Sequence, residues 1–146
     1  MSAQQFMFRL MNRVHPWLYR RGGGKGFAAS VRGQPVLLLV TTGRRSGQPR
    51  ANMVGYIKDG DDLVVAASAG GEPQHPAWAL NLRANPEATV QVGEERFRVR
   101  GEWTGPEERD RLWREITNRY PHFAPYEQKS GRTIPVIRLR RVAAGR

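Results

Sequence analysis

The alternation of short apolar stretches with glycine-containing turns constrains the fold more than any other feature of this sequence. Apolar and β-branched residues dominate residues 35–42, 48–56 and 63–68. Polar turns that contain glycine separate these stretches at residues 43–47 and 58–62. Stretches of this length between Gly, Asp and Ser signals are typical of antiparallel hairpins. The sequence therefore predicts two consecutive hairpins built from three strands.

Helical patterns flank a third hairpin in the second half of the chain. Helices are predicted at residues 75–85 and 106–120, a hairpin at residues 88–103, and a closing strand, after a polar loop, at residues 134–142. Pro76 and Pro106 suit the first turns of the two helices. The whole pattern predicts an α+β fold, a split β-barrel of about six mostly antiparallel strands with flanking helices. A βαβ fold is disfavoured because no G-x-G-x-x-G follows a strand.

The N-terminal region has a separate pattern. Apolar residues at helical spacing, among them Phe6, Leu10 and Val14, predict an amphipathic helix over residues 4–20. The glycine-rich run at 21–26 then interrupts regular structure. We therefore expect two units, an N-terminal helix with its linker at residues 1–26 and the barrel domain at residues 27–146. Two interpretations of the helix remain open: it lies on an anionic membrane surface, or it packs on the barrel or a second subunit.

Arginine dominates the charge. Lys and Arg number 24 against 13 Asp and Glu, a formal net charge of +11. The planar guanidinium fork binds phosphate and carboxylate, so nucleic acid, an anionic membrane or a highly anionic small molecule fits this composition. An arginine-rich solvated surface is the alternative. The absence of cysteine excludes disulfides and thiolate metal sites and is compatible with the cytoplasm. No apolar run is long enough to predict a membrane span.

The first hairpin turn has the composition of an anion site. Gly43 and Gly47 allow a tight turn that exposes backbone N–H groups. Fork donors and a hydroxyl come from Arg44, Arg45, Ser46 and Arg50. An ordinary exposed turn made soluble by arginine is the other interpretation.

The end of the third strand has space for a flat ligand because its residues are small, namely Ala66, Ala67, Ser68 and Gly70. Backbone groups there could serve as polar handles, although by spacing alone a plain strand exit is favoured. The next helix begins at Pro76, Ala77 and Trp78. Its N-terminus presents unpaired N–H groups that could face a phosphate or a ring oxygen.

Aromatic residues on the proline-rich loop could cover a cavity. Tyr120, Phe123 and Tyr126 either position a flat acceptor or pack on the barrel. Neither metal-ligand spacing nor a neighbouring acid accompanies the three histidines, His15, His75 and His122. No metal site is predicted, and no Ser-His-Asp or paired-carboxylate arrangement stands out. The reactivity of an enzyme of this kind would come from a cofactor.

Four runs carry a family resemblance. In chain order they are TTGR-x-[ST]-G-x-PR, VAAS-x-GG, P-x-W-x-LNL-x-ANP and RYP…Y…RTIPV, within roughly residues 5–138. The chain resembles the deazaflavin-dependent nitroreductase family, which includes a mycobacterial enzyme that activates nitroimidazole prodrugs. The resemblance implies a split β-barrel like the FMN-binding barrels and a cofactor that is coenzyme F420 rather than FMN. The polyanionic tail of F420 would account for the arginines.

The resemblance also implies residue roles. The phosphate and tail would contact Arg44, Arg45, Ser46 and Arg50. The deazaflavin ring would contact Ala66, Ala67, Ser68 and Gly70, and the helix opening at Pro76, Ala77 and Trp78 would continue this wall. The implied reaction is hydride transfer from C5 of the reduced ring to a quinone, a nitro compound or a similar apolar acceptor. Tyr120 and Tyr126 would be the catalytic residues that hydrogen-bond to the acceptor.

Two positions depart from the family's nitroimidazole activator. Phe123 and Gly55 stand where that enzyme has tyrosines, so the acceptor contacts are expected to differ and nitroimidazole reduction is in doubt. Membrane quinones as acceptors, together with the amphipathic helix, would suit a cytoplasmic protein peripheral to the inner face of the plasma membrane. A homodimer remains open.

Competing interpretations stay open at this point. A basic β-barrel that binds nucleic acid is suggested by strand arginines, namely Arg96, Arg98, Arg100, Arg138, Arg140 and Arg141. It is disfavoured because these arginines lack the interleaved aromatic residues of a stacking platform. An FMN-dependent enzyme or an F420 carrier on the same fold is the other alternative.

Overall fold

The computed structural model describes residues 30–31 and 33–142. This part of the chain contains seven strands, β1 Ser30–Val31, β2 Gln34–Thr42, β3 Pro49–Asp59, β4 Asp62–Ala66, β5 Glu87–Val92, β6 Glu95–Trp103 and β7 Val136–Arg141. It also contains three α-helices, α1 Ala77–Ala84, α2 Pro106–Arg119 and α3 Tyr126–Ser130. The predicted helix at 4–20, the glycine-rich linker and His15 lie outside the described residues.

Six of the strands form a closed antiparallel barrel. Their order is β2-β3-β4-β7-β6-β5, and β5 pairs back onto β2. The predicted barrel of about six strands with flanking helices is therefore confirmed. The two-residue strand β1, which was not predicted, pairs with the beginning of β2. Closure leaves few free strand edges, as expected for a barrel.

Alternate residues of the strands fill the barrel. Leu37, Leu39, Val65, Val90 and Ile137 are fully buried inside it. This period of two follows from the pleat, which directs successive side chains to opposite faces of a strand. A second apolar cluster lies outside the barrel, where the apolar face of α2 packs on β3, β4 and the segment before β7. These two layers hold the ends of β4 and β7 from both sides.

The prediction of a polar loop between α2 and the closing strand was wrong in part. It contains a 3₁₀ turn at Pro121–Phe123 and the five-residue helix α3. A helix this short is not stable alone. Contacts with other segments stabilise it, because Glu127 of α3 accepts hydrogen bonds from Arg109 Nη2 at 2.7 Å and from the Ile134 amide at 3.2 Å. No helix in the described ranges is long and apolar enough to cross a bilayer.

Candidate functional site

The arginine-bearing turn between β2 and β3 is tightly closed. The Gly43 amide donates to the Gln48 carbonyl at 2.8 Å, and the Gly47 amide donates to the Gly43 carbonyl at 2.8 Å. Ser46 Oγ accepts hydrogen bonds from the Gln48 amide and from Arg50 Nη2, both at 3.2 Å. A Cβ at residue 43 would lie 2.7 Å from Ser46 Oγ and 3.2 Å from the Gln48 carbonyl oxygen, so a side chain there would displace Ser46 Oγ.

The guanidinium groups of this turn are exposed and available. Residues 44–50 are all exposed. Within the part of the chain that the structure describes, Arg44 and Arg45 have no side-chain hydrogen bond or ion pair. Such unpaired forks can bind an anion without first breaking an internal ion pair. The turn therefore has the donors and the access that the sequence predicted for an anion site.

Asn81 of α1 attaches this turn to the helix. Its side chain is buried, its Oδ1 accepts a hydrogen bond from the Arg44 amide at 3.1 Å, and its Nδ2 donates to Thr41 Oγ1 at 3.0 Å. Both ends of the amide are therefore used. The sequence analysis did not single out Asn81, although it lies in the LNL run that supported the resemblance.

The exit of β4 has an unusual backbone. Ser68 is in the right-handed helical region, and Ala69 and Gly70 both have positive φ, at 48° and 64°. Ala69 is the one non-glycine residue with positive φ in the described ranges. Successive right- and left-handed residues direct neighbouring N–H groups to one side, which forms an anion- or oxygen-binding nest. Within the described residues, the amides of Ser68, Ala69 and Gly70 donate to no acceptor.

Helix α1 continues from this nest. Pro76 precedes it with an extended backbone, and the amides of Ala77 and Trp78 are among the N–H groups that a helix N-terminus leaves free. The predicted site residues differ in access. Ala67, Ser68 and Trp78 are buried, and the Trp78 ring packs in the barrel core. Trp78 can therefore face a ligand through its backbone, while Ala77 is exposed.

One arginine that the sequence analysis missed lies behind the nest. Arg132 donates from Nη2 to the carbonyls of Ala67 at 3.1 Å and Ser68 at 3.0 Å, and from Nε to the Glu72 carbonyl at 3.1 Å. Its Nη1 is 2.7 Å from His75 Nδ1. The RTIPV run that contains Arg132 contributed to the resemblance, but nothing in local spacing shows that residue 132 meets residues 67–75.

His75 is held as a neutral acceptor. Its edge packs on the Trp103 ring with centroids 5.5 Å apart. Burial lowers the pKa of His75, and the charges of Arg132 and Arg83 lower it further. Because Nδ1 faces a guanidinium donor, the ring proton resides on Nε2. The contact with Arg132 gives His75 a specific structural role.

The predicted loop aromatics gather beside the same strand end. The Tyr126 ring packs T-shaped on Phe123, with centroids 5.5 Å apart. A Cβ at Gly71 would lie 3.2 Å from Tyr126 Cδ1, so Tyr126 reaches the nest loop. Tyr120 lies close enough to Tyr56 for its charge to raise the pKa of Tyr56, which burial already raises more strongly. Tyr56 was not among the predicted site residues.

Phe123 and Gly55, the two departures from the family's nitroimidazole activator, are both packed against neighbouring side chains. Phe123 is buried and packs T-shaped on Trp113, with centroids 6.4 Å apart. The space beside Gly55 is filled by the buried side chain of Gln34, because a Cβ at Gly55 would lie 2.5 Å from Gln34 Oε1. Each substitution is therefore compensated by local packing.

The strand arginines that suggested nucleic-acid binding are largely paired. Arg138 bonds to Asp59, Asp62 and Glu108, Arg140 to Glu102, and Arg141 to Glu95. Arg96 Nε donates to Gln91 Oε1 at 3.0 Å. Arg98 and Arg100 remain as exposed cations on β6. Within the described ranges, no group of three or more His, Asp or Glu could hold a metal ion.

Comparison with known proteins identifies one family. The model of the F420H(2)-dependent quinone reductase family matches residues 10–140. An F420H(2)-dependent quinone reductase of Mycobacterium tuberculosis strain H37Rv is 37% identical over 132 residues, which cover 88% of this chain and 89% of that protein.

Two solved structures are also similar to this chain. An F420-H2 dependent reductase (FDR-A) is 34% identical with a TM-score of 0.65, covering 72% of this chain and 93% of that one. A structure described as a domain-swapped dimer is 31% identical with a TM-score of 0.68, covering 87% and 96%. These matches confirm the predicted resemblance, the enzyme class and the cofactor class, and the chain belongs to the F420H(2)-dependent quinone reductase family.

Proposed function

We propose that this protein oxidises reduced coenzyme F420 and passes the hydride to a quinone. The observation that carries the proposal is an elongated site along α1. The nest at residues 68–70 and the start of α1 form one end, and the arginine-bearing turn fastened by Asn81 forms the other. Asn81 lies about 6 Å along the helix from Ala77, since each residue rises about 1.5 Å. A ligand with a polar ring and an anionic tail fits such a site.

The residues present fit coenzyme F420 at both ends. Three free amides in the nest suit the carbonyl oxygens of a deazaflavin ring, and the Arg44 and Arg45 forks suit its phosphate and oligoglutamate tail. Gly71 has no room for a Cβ beside Lys129 Cδ at 2.8 Å, so the loop approaches α3 closely. Lys129 Nζ also donates to the Gly70 carbonyl at 3.1 Å. The ring end is therefore narrow and built from small residues.

The bound cofactor supplies the hydride, and the chain supplies position and a dry environment. Ala66, Ala67 and Ser68 present buried small side chains and a fixed backbone, which hold a ring in one orientation. Tyr126, beside Gly71, and Tyr120, beside Tyr56, donate hydrogen bonds to the acceptor oxygen as negative charge develops on it. Exclusion of water by the aromatic cluster strengthens these bonds.

A quinone is the acceptor class that the aromatic cluster supports best. The buried Phe123 offers no hydroxyl where the nitroimidazole activator of the resembled family has one, so two tyrosine donors remain for an acceptor with two oxygens. We expect nitro compounds to be the poorer acceptors. Membrane quinones are included in this proposal, and flotation with anionic liposomes, with and without residues 1–22, tests whether the predicted N-terminal helix brings the protein to the membrane. Equal flotation of both forms would contradict that part.

The division at residue 26 and a homodimer remain predictions. A relative described as a domain-swapped dimer supports the second. Sedimentation of the full chain across a range of concentrations tests it.

Titration with F420, FMN and FAD, followed by fluorescence, tests the cofactor. We expect saturable binding of F420 and at least tenfold weaker binding of FMN, which lacks the oligoglutamate tail. Equal or tighter binding of FMN would favour the FMN-dependent alternative, and the absence of F420 binding would refute the proposal.

Replacement of either tyrosine tests the acceptor side. Tyr120→Phe and Tyr126→Phe should each lower turnover with a quinone by about 10- to 100-fold, because one hydrogen bond to the transition state is lost. The dissociation constant of F420 should stay within twofold. A collapse of F420 binding in either variant would contradict the acceptor-side role.

A further inference from the structure

We propose that Arg132 is a positioning residue that fixes the backbone conformation of the ring site from the side opposite its free amides. The inference rests on the proposed function, because it assigns the nest at residues 68–70 to the deazaflavin ring. Arg132 does not touch the cofactor in this arrangement. It acts through the peptide groups of the β4 exit and through His75.

The bonding of the half-buried Arg132 differs from that of the buried arginines Arg109 and Arg138. Its acceptors are three main-chain carbonyls, those of Ala67, Ser68 and Glu72, together with a neutral imidazole nitrogen. Among the described residues, no carboxylate forms an ion pair with it. By contrast, Arg109 pairs with Asp110 and Glu127. A guanidinium whose donors all bond to neutral acceptors fixes main-chain direction rather than balancing charge.

The direction of these carbonyls determines where the amides point. In a trans peptide the C=O and the following N–H point in opposite directions. Because the carbonyls of Ala67 and Ser68 turn toward Arg132, the amides of Ser68 and Ala69 turn away from it. Those are two of the three free donors in the nest. Arg132 therefore aims the donors that face the ring.

The nest conformation needs such a restraint. Ala69 has φ of 48°, a region that a residue with a Cβ enters only at a cost. Two main-chain hydrogen bonds also hold this turn, from the Gly71 amide to the Ser68 carbonyl at 2.9 Å and from the Glu72 amide to the Ala69 carbonyl at 3.2 Å. Neither of them fixes the Ala67 carbonyl, so loss of Arg132 would free the Ser68 amide to turn. The same guanidinium also holds His75, which leads into α1. One side chain thus joins the two walls of the ring site, across 57 to 65 residues of sequence.

Lysine cannot reproduce this arrangement. Its ammonium is a single point on a flexible stem, whereas the guanidinium places donors in a fixed plane toward four acceptors. We expect a lysine side chain at this position to satisfy one or two of them, so the Arg132→Lys variant should fall between the wild type and Arg132→Gln.

The test uses two ligands and the full chain. The first is F420, and the second is deazariboflavin, which carries the ring without the phosphate or the oligoglutamate tail. Binding is measured by fluorescence at a temperature well below the melting temperature of each variant. Arg132→Gln should weaken both ligands by about tenfold or more, and by the same factor, because the ring contacts are shared. Arg45→Ala should weaken F420 alone. Arg114→Gln, an exposed arginine on α2, should change neither.

Two results would overturn the inference. One is a folded Arg132→Gln variant that binds both ligands within twofold of the wild type. The other is a loss confined to F420, which would place Arg132 at the tail. If the wild type binds neither ligand, the proposed function fails first, so the two failures are distinguishable.

A comparison of the wild type with Arg132→Lys keeps the inference testable if Arg132→Gln does not fold. Deazariboflavin should protect the amides of Ser68, Ala69 and Gly70 from hydrogen exchange, and this protection should be reduced in Arg132→Lys. Protection of equal size in both proteins, or none in the wild type, would contradict the role.

Discussion

The two ends of the barrel use arginine in opposite ways. At the end that we call the acid end, Arg138 bonds to Asp59 at 2.7 Å, Asp62 at 3.0 Å and Glu108 at 3.2 Å. Arg140 and Arg111 extend this network to Glu102 and back to Asp59. At the other end, which we call the site end, Arg44 and Arg45 have no acid partner among the described residues, and Arg132 bonds to neutral acceptors.

The two ends lie far apart along β3. Arg50 and Asp59 lie at opposite ends of β3, about 30 Å apart at 3.3 Å per residue. The described residues carry +4 of the formal charge of +11, from 17 Lys and Arg against 13 Asp and Glu, and because acids neutralise arginines at the acid end, part of this excess lies at the site end. Among the described residues, the capacity for anion binding that the composition suggests is therefore greater at the site end than at the acid end. Changes at the two ends should therefore have different consequences.

Removal of Arg138 should produce the largest loss of stability. Its side chain is 7% exposed, and Arg138→Met would leave Glu108 without this partner and Asp59 and Asp62 each with one fewer. We expect the free energy of unfolding to fall by about 1.5–3 kcal/mol, because hydrogen bonds to charged groups are lost. Urea denaturation measures it. The matched control is Arg140→Met on the same strand, which is 52% exposed and should leave the free energy of unfolding nearly unchanged.

Removal of the turn arginines should affect binding and leave stability unchanged. Arg45→Ala combined with Arg50→Ala should weaken F420 by about 10- to 100-fold and reduce the salt dependence of binding, because charge-assisted contacts are lost. The free energy of unfolding should change by about 0.5 kcal/mol or less, since both residues are exposed. Arg114→Ala with Arg119→Ala, two exposed arginines on α2, is the control for net charge. Equal weakening in both pairs would mean that the site end has no special role.

Relief of the strained residue should stabilise the protein slightly. Ala69→Gly removes the cost of positive φ and adds chain entropy to the unfolded state, so we expect a net gain of about 0.5–1 kcal/mol. Ala124, with φ of −54°, provides the control, and Ala124→Gly should lose a similar amount. Thermal unfolding compares the two. A destabilised Ala69→Gly variant would show that the nest is not under strain.

The two ends should also lose stability in different pH ranges. The folded protein lowers the pKa of His75 below its ordinary value of 6.5, so the unfolded chain binds more protons in the window beneath that value. Stability from His75 is thus present above pH 6.5 and lost as the pH falls toward the folded pKa. Hydrogen bonds from Arg111 and Arg138 lower the pKa of Asp59 below 3.8, so its contribution is lost only below that pH.

Denaturation of the wild type and His75→Gln between about pH 7.5 and pH 5 isolates the first range. The glutamine carbonyl can still accept from Arg132 but does not titrate, so the variant should show a flatter profile. A wild type that gains stability relative to the variant on acidification would contradict the neutral state of His75.

Sequence reasoning recovered the hairpins, two helices and the arginine-bearing turn because each depends on local chemistry. Gly43 and Gly47 specify the turn, and period-two burial specifies the strands. It missed α3, whose stability depends on Glu127 bonding to Arg109 across 18 residues. It also missed Asn81 and Arg132, whose partners lie 37 to 65 residues away in sequence. No periodicity in the sequence reports such pairs.

The barrel class, the family and the supply of anion-binding groups follow from local sequence, because pleat alternation, turn residues and side-chain chemistry are properties of short segments. Which arginines remain available depends on contacts between distant segments. Strand pairing brings acids to Arg138 at one end and only backbone carbonyls and His75 to Arg132 at the other. The physical reason is that a guanidinium bonds with whatever acceptors the fold brings within about 3 Å, and chain closure rather than local sequence selects them.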